Sequence, residues 1–298
     1  MNRIFISIPL FFNTLIFPGF LVAQQSKPLL ERKFRQGEIF RYRLTMDELH
    51  NGQWSSTLIS VCELKTVIDS NGVPNDEVRW ISKKKITPKD TVDETNEALL
   101  VKPFTISVDS RGSLKIPKIE QPGMTEPIQD FITFFVAVSP QLGTTELNQK
   151  GDSIVNTKTI QADFSNGHPI IKGDDCFRVT KQLIDVTKKV LLFKISFLPP
   201  DQSCFNYILD EMKEPVMKDA PNNFQMLQET GNDRLNVQYG SEKFIINSTN
   251  RRSDGKIISA TMSNTLNLKL KLNCNKEYKD CQGEFQFVMQ RNLRLELL

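Results

Sequence analysis

Few side chains in this sequence are of the types that do chemistry. Among 298 residues there are two histidines and five cysteines. His50 stands beside an Asn51-Gly52 turn and His168 within Asn166-Gly167-His168-Pro169. Neither sits in a His-Glu-x-x-His or related metal-binding spacing, so both are expected as exposed turn residues. No Gly-x-Ser-x-Gly elbow and no phosphate-cradling glycine loop is present. Carboxylates are plentiful. Asp174-Asp175, Asp210-Glu211, and Glu126 with Asp130 one helical turn on are the pairs that acid–base chemistry would need, but neighbouring acids in loops are ordinarily just solvated. A nucleophilic Cys62 would require a base beside it, which sequence alone does not supply. No catalytic, cofactor-binding or metal-binding residue is assigned, and no cofactor is implied.

The cysteines are better explained as structural. Cys274 and Cys281 flank a polar six-residue loop between two strand-like runs, and they are expected to form a disulfide. Cys176 and Cys204 bracket a hairpin and make a second candidate pair. In the chain-entropy model loops of these lengths are worth about 2–4 kcal/mol each. Cys62 lies in mid-strand, where a free cysteine behaves as a small buried hydrophobe. A zinc site at the Cys-x6-Cys pair would lack its further ligands.

Disulfides presuppose an oxidising compartment, and the first residues read as an export signal. Arg3 gives a positive start, Ile4 to Phe17 an apolar run, Pro18-Gly19 a helix break, and Leu21-Val22-Ala23 a cleavage site. The run is short for a membrane span and contains Pro9 and Asn13, so a cleaved leader at 1–23 is expected rather than an anchor. No cysteine follows Ala23 for acylation, and no later stretch reads as a span. The processed chain would carry a net charge of about +2, too close to neutral to point to nucleic acid or to a strongly basic membrane-binding surface. The expected location is periplasmic or extracellular.

What must position any site is β-structure. From Glu242 onward the period is two: Phe244-Ile245-Ile246, a turn at Ser253-Asp254-Gly255, strict alternation over Leu266 to Leu272, then Phe285, Phe287, Met289 and Leu293, Leu295, Leu297. The chain begins in the same way. Residues 24–32 are polar and expected to be flexible. Phe40, Tyr42, Leu44 and Met46 then alternate with polar residues, Asn51-Gly52 marks a hairpin, a return strand runs from about Ser55 to Asp69, Asn71-Gly72 turns again, and Glu77 to Thr87 makes a third strand. Lys89 to Asn96 reads as a charged turn. A shorter hairpin is expected with Phe104, Ile106 and Val108 on one arm and Leu114 and Ile116 on the other. One amphipathic helix stands out near 125–138: Thr125 as cap, Pro127 in the first turn, and Ile128, Phe131, Ile132, Phe135 and Val136 on one face. Further strands are expected near Ser153 to Thr159, and as a hairpin of Cys176 to Ile184 with Lys189 to Leu198. Phe205 to Met212 reads as a short helix and Lys213 to Asp233 as a long loop. The fold class is therefore mainly β: long-stranded, curved antiparallel sheet with one main helix.

Cys62-to-Asp69 is echoed by Cys176-to-Asp185, and the Phe104 hairpin by that at Phe244. Such an echo points to two related halves, 33–160 and 161–298, that share one sheet or pack as two units, although strand composition alone also produces echoes of this kind. The opening Lys33-Phe34-Arg35-Gln36-Gly37-Glu38-Ile39-Phe40-Arg41-Tyr42, together with the leader and the hairpins starting at Phe104 and Phe244, resembles a group of uncharacterised exported bacterial β-rich proteins. The resemblance implies an envelope or extracellular protein and carries over no functional residue.

Four functional classes follow from these features. An enzyme lacks its motifs. An outer-membrane barrel would need aromatic girdles, whereas the chain has four tyrosines and two tryptophans and places Lys269 and Lys271 in mid-strand. Two non-enzymatic readings remain open. One is a concave sheet, lined by Phe and Leu and plugged by the helix, that binds a hydrophobic small molecule. The other is a surface or periplasmic interaction module that meets an envelope protein through sheet edges or loops. The size of an internal apolar cavity separates them.

Overall fold

The computed structural model describes residues 28–140, 143–157, 161–164, 168–173, 178–199, 205–206, 224–231, 234–275 and 280–298. The leader at 1–23, Cys176, Cys204, Asp174-Asp175 and Asp210-Glu211 lie outside the described residues.

The elements in chain order are β1 (Ile39–His50), β2 (Gln53–Ile68), β3 (Pro74–Ile86), β4 (Thr91–Asp93), α1 (Thr95–Leu99), β5 (Phe104–Ile106), α2 (Thr125–Ala137), β6 (Ser153–Thr157), β7 (Gln161–Phe164), β8 (His168–Gly173), β9 (Arg178–Val186), β10 (Val190–Phe197), β11 (Phe205–Asn206), β12 (Phe224–Gly231), β13 (Arg234–Arg251), β14 (Ile257–Cys274) and β15 (Gly283–Leu297). Among the described residues, twelve strands form one large open antiparallel sheet in the order β4-β3-β2-β1-β15-β14-β13-β10-β9-β6, with β5 added to β3 and β12 to β13. β11, β8 and β7 form a second, three-stranded sheet. The first meander runs outward from β1 to the β4 edge and the second runs inward from the β6 edge to β15, so they join where β1 pairs with β15, Met46 opposite Leu293 and Leu44 opposite Leu295. The segments expected as two halves thus contribute to a single sheet. Phe104 and Phe244 have different surroundings: the first opens a three-residue edge strand, the second lies in the middle of β13.

The turns follow the local chemistry. Asn51 and Gly52 both hold positive φ, 50° and 80°, as a two-residue hairpin matched to the strand twist requires. In the Asn71-Gly72 turn the Asp69 carboxylate accepts from the Asn71 and Val73 N–H groups at 2.8 and 2.9 Å. Alternation then decides the faces. Along β2, Leu58, Ser60, Cys62, Leu64 and Thr66 point inward, and along β1 so do Tyr42, Leu44 and Met46. α2 lies across the middle of this face. Ile128, Phe131, Ile132, Phe134 and Phe135 are all buried, and together they contribute on the order of 10 kcal/mol of apolar transfer free energy. Edge-on aromatic contacts fix its seat: Phe131 with Trp80 at 5.7 Å and with Tyr42 at 6.1 Å, and Phe135 with Tyr42 at 5.7 Å.

Several expectations are corrected. Thr125 is the first helical residue rather than the cap. Met124 precedes it at the end of a short 3-10 turn, Pro122–Met124, and no side chain caps the helix. The arm containing Leu114 and Ile116 forms no strand, because Pro117 interrupts it and β5 is taken by β3 instead. The charged stretch 89–96 contains β4 and the start of α1. They are held down by the buried Lys83 ammonium, which bridges Glu94 and Glu97 at 2.8 and 2.6 Å. Phe205 and Asn206 are strand, paired with Gly173 and Lys172, where a helix is expected. Within the expected loop 213–233, residues 224–231 pair with β13 as β12. In the stretch expected to be flexible, Leu30 is buried and Arg32 pairs with Asp76 at 3.4 Å.

Candidate functional site

Alternation places a charged residue on the apolar face of β15. Residues 285, 287, 289, 291, 293, 295 and 297 share that face, and all are apolar except Arg291. Register sets Arg291 opposite Asn264 on β14 and opposite Glu48 on β1. α2 supplies its counter-ion. Asp130 faces the sheet and pairs with Arg291, whose other guanidinium contact is the Met46 sulfur at 3.0 Å. The Asn264 amide donates to Glu242 of β13 at 2.6 Å. Burial raises the Asp130 carboxyl to about 6; the Arg291 charge opposes the rise, and Glu126 one turn earlier adds to it. Burial also raises Glu242. Two polar atoms in this cluster are buried without a hydrogen-bond partner, Asn264 Oδ1 and Arg291 Nε, and Asn264 is only 3% exposed. Buried polar groups ordinarily find partners, so the pair marks a site with unused hydrogen-bonding capacity.

Beyond this cluster, on the side away from Phe135, the same face turns apolar again. Leu266 lies opposite Met289, Leu268 opposite Phe287, and Leu270 opposite Phe285. At about 3.4 Å per residue the strip from Leu266 to Leu272 is roughly 20 Å long. Leu266 and Leu268 are buried, while Leu270, Leu272, Phe287 and Met289 are half-buried and Phe285 is 55% exposed. β1 ends opposite this strip at His50, whose partner is Met289, so Phe285 and Phe287 project past the end of the first meander. The far end of the same hairpin is closed by the expected Cys274–Cys281 disulfide. Gly240 of β13, opposite Leu268, holds φ at +151°, and a Cβ there would run into the Asn267 carbonyl oxygen.

A cavity of about 20 Å³ lies between Leu30, Tyr42, Phe135 and Ile257, room for about one water molecule. The N-terminal segment helps to close it. Arg32 stacks over Phe34 and Phe40 at 4.7 and 5.3 Å, and Lys256 pairs with Glu38 at 2.5 Å.

Of the residues singled out in the sequence, Glu126 and Asp130 do share a helix, but Asp130 is committed to Arg291 and Glu126 is exposed. Cys62 is a buried free thiol, its pKa pushed up by burial. His50 is half-exposed and contacts Glu48. His168 opens β8 rather than lying in the turn. Arg291 and Lys181 are functional residues that motif and spacing do not reveal; the available signal is a single charge between apolar neighbours on one face, Met289-Arg291-Leu293 and Val179-Lys181-Leu183. Lys181 is 1% exposed, donates to Thr144 Oγ1 at 3.2 Å, and is lowered to about 7 by burial. Among the described residues no group of three or more His, Cys, Asp or Glu is placed to hold a metal ion, and no helix is long and apolar enough to cross a membrane.

No family model and no curated protein matches the chain. Among solved structures, lipovitellin, in a study of its lipid–protein interactions, aligns with 89% of this chain at a TM-score of 0.44 and 11% identity. The chain spans 25% of that protein's length. OccK2 (OpdF) of Pseudomonas aeruginosa aligns with 90% of this chain and 99% of its own at a TM-score of 0.17 and 7% identity. The MucA/MucB complex of Pseudomonas aeruginosa aligns over 88% and 89% at 0.15 and 10%.

Proposed function

We propose that this is an exported, non-enzymatic binding protein of the envelope or extracellular space, of a kind with the uncharacterised exported proteins it resembles, and that it holds a hydrophobic ligand on its sheet. The concave cavity expected beneath the helix is not what supports this reading: the cavity described there, about 20 Å³, has room for about one water molecule. The binding surface is instead the partly exposed strip of β14 and β15, and the observation that carries the reading is its register: Leu270, Leu272, Phe285, Phe287 and Met289 on one face, beyond the helix and beside a charged cluster. A strip about 20 Å long and two strands wide fits an extended acyl chain, each covered methylene contributing about 0.8 kcal/mol. The Cys274–Cys281 bond favours an oxidising compartment.

Native mass spectrometry of protein purified from its own host tests this reading. The expected result is a retained lipid-sized adduct, lost in Leu270→Asp and Phe285→Asp, each of which places a carboxylate on the strip and lowers affinity about tenfold or more. Protein that carries no adduct and binds no added fatty acid or acylglycerol would overturn it.

A further inference from the structure

We infer that the end of the sheet opposite the strip is a docking surface for the anionic head groups of a lipid bilayer. Three segments meet there. The β13–β14 turn is bound to the β9–β10 turn through Arg252, whose N–H donates to the Lys189 carbonyl at 2.8 Å and whose guanidinium donates to the Thr187 carbonyl at 3.2 Å. The N-terminal segment joins through the Lys33 N–H, which donates to the Asp254 carbonyl at 2.9 Å. Gly255 makes this junction close, since at its φ of +74° a Cβ would meet the Glu31 carbonyl oxygen at 2.5 Å.

The lacing brings cations together that are far apart in sequence. Two neighbouring open hollows share Arg252: one of about 560 Å³ with Lys188, Lys189 and Arg251 on its rim and Ile258 on its wall, the other of about 280 Å³ between Lys33 and the carboxylate-bearing Glu31. Asp254 pairs with Arg251 at 3.1 Å. Among the described residues Lys33, Lys188, Lys189 and Arg252 have no carboxylate within ion-pair distance, and all four are exposed. Unpaired like charges gathered at one end repel one another, and an anionic surface facing them turns that repulsion into attraction. A planar, phosphate-bearing surface matches cations spread over two shallow hollows better than a single small anion does.

Vesicle co-sedimentation tests the inference, using protein from an exporting host and vesicles of phosphatidylcholine alone or mixed with phosphatidylglycerol. The readout is the ratio of partitioning between the two vesicle types, in which any apolar contribution common to both cancels. Each basic residue near an anionic surface is worth about fivefold in partitioning. Lys188→Gln with Lys189→Gln is therefore expected to lower binding to the mixed vesicles about twenty-five-fold, and Lys188→Arg with Lys189→Arg to retain it. Unchanged thermal melting of the glutamine variant confirms that the exposed turn tolerates the change. Three results would each sink the inference: equal partitioning to both vesicle types, undiminished binding by the glutamine variant, or displacement by inorganic phosphate at matched ionic strength, which would mean a small-anion site.

Discussion

Asp130 illustrates what a single buried charge does to the molecule. Its carboxyl titrates near 6 in the fold because burial outweighs the attraction of Arg291, and near 3.9 in the unfolded chain. The folded state therefore binds this proton more tightly, so stability falls as pH rises from about 4 to about 6 and stays lower above that window. The full effect is on the order of 3 kcal/mol. The solvent-facing Asp69, Asp93, Asp152 and Asp185 have lowered values, so their contributions are lost only as pH falls below the ordinary carboxylate range. The two effects separate on the pH axis. Urea unfolding of Asp130→Asn across pH 4.5 to 7.5 should show a flatter profile than the parent, with a residual slope from Glu242, and a parallel profile would refute the assignment. Much of this was legible in the sequence, since Arg291 is the one charge on the apolar face of its strand. Its partner was not. Asp130 lies beside the predicted stripe of α2, and only the seat of the helix across the sheet shows which acid turns inward.

At the scale of elements, the hairpins were legible wherever turn chemistry and alternation agreed. Asn51-Gly52, Asn71-Gly72 and the Leu266–Leu272 run each declare their own structure. β12 and β4 do not, because neither has a period of its own. β12 is strand because β13 is long enough to offer one half of its edge to β10 and the other to β12, a tertiary template that propensity does not encode. The same length puts a demand on Gly240, where the β13 backbone passes close to β14. Gly240→Ala is expected to destabilise the protein by about 1–3 kcal/mol. The loss should appear first as faster amide exchange in Leu235 to Glu242 and Leu266 to Leu272, while the strands beneath α2 remain protected. Uniform loss of protection across the sheet would contradict this.

For the whole molecule, the decisive pairing is that of β1 with β15. It joins two meanders into one sheet, and the core beneath α2 draws Tyr42, Leu44, Leu64 and Trp80 from one and Ile246, Met262, Phe193 and Leu183 from the other. Sequence periodicity announces both meanders but not their junction, since alternation is blind to which strand lies alongside. Deleting 283–298 should therefore abolish cooperative unfolding rather than trim an edge, because it removes the strand that holds β1 to β14. A sharp, single thermal transition in the truncated protein, with near-parental enthalpy, would show that the two meanders are independent units.

That junction has a consequence for biosynthesis. Asn51 and Val288, which hydrogen-bond across it, are 237 residues apart. At translation rates of about 5–20 residues per second, β1 is made roughly ten to fifty seconds before its neighbour exists. Throughout that interval the first meander presents a bare strand to whatever it meets. The newborn chain thus depends on the ionic fringe of β1, Arg41, Arg43, Asp47 and Glu48, or on a holdase, to keep it from pairing with another copy of itself.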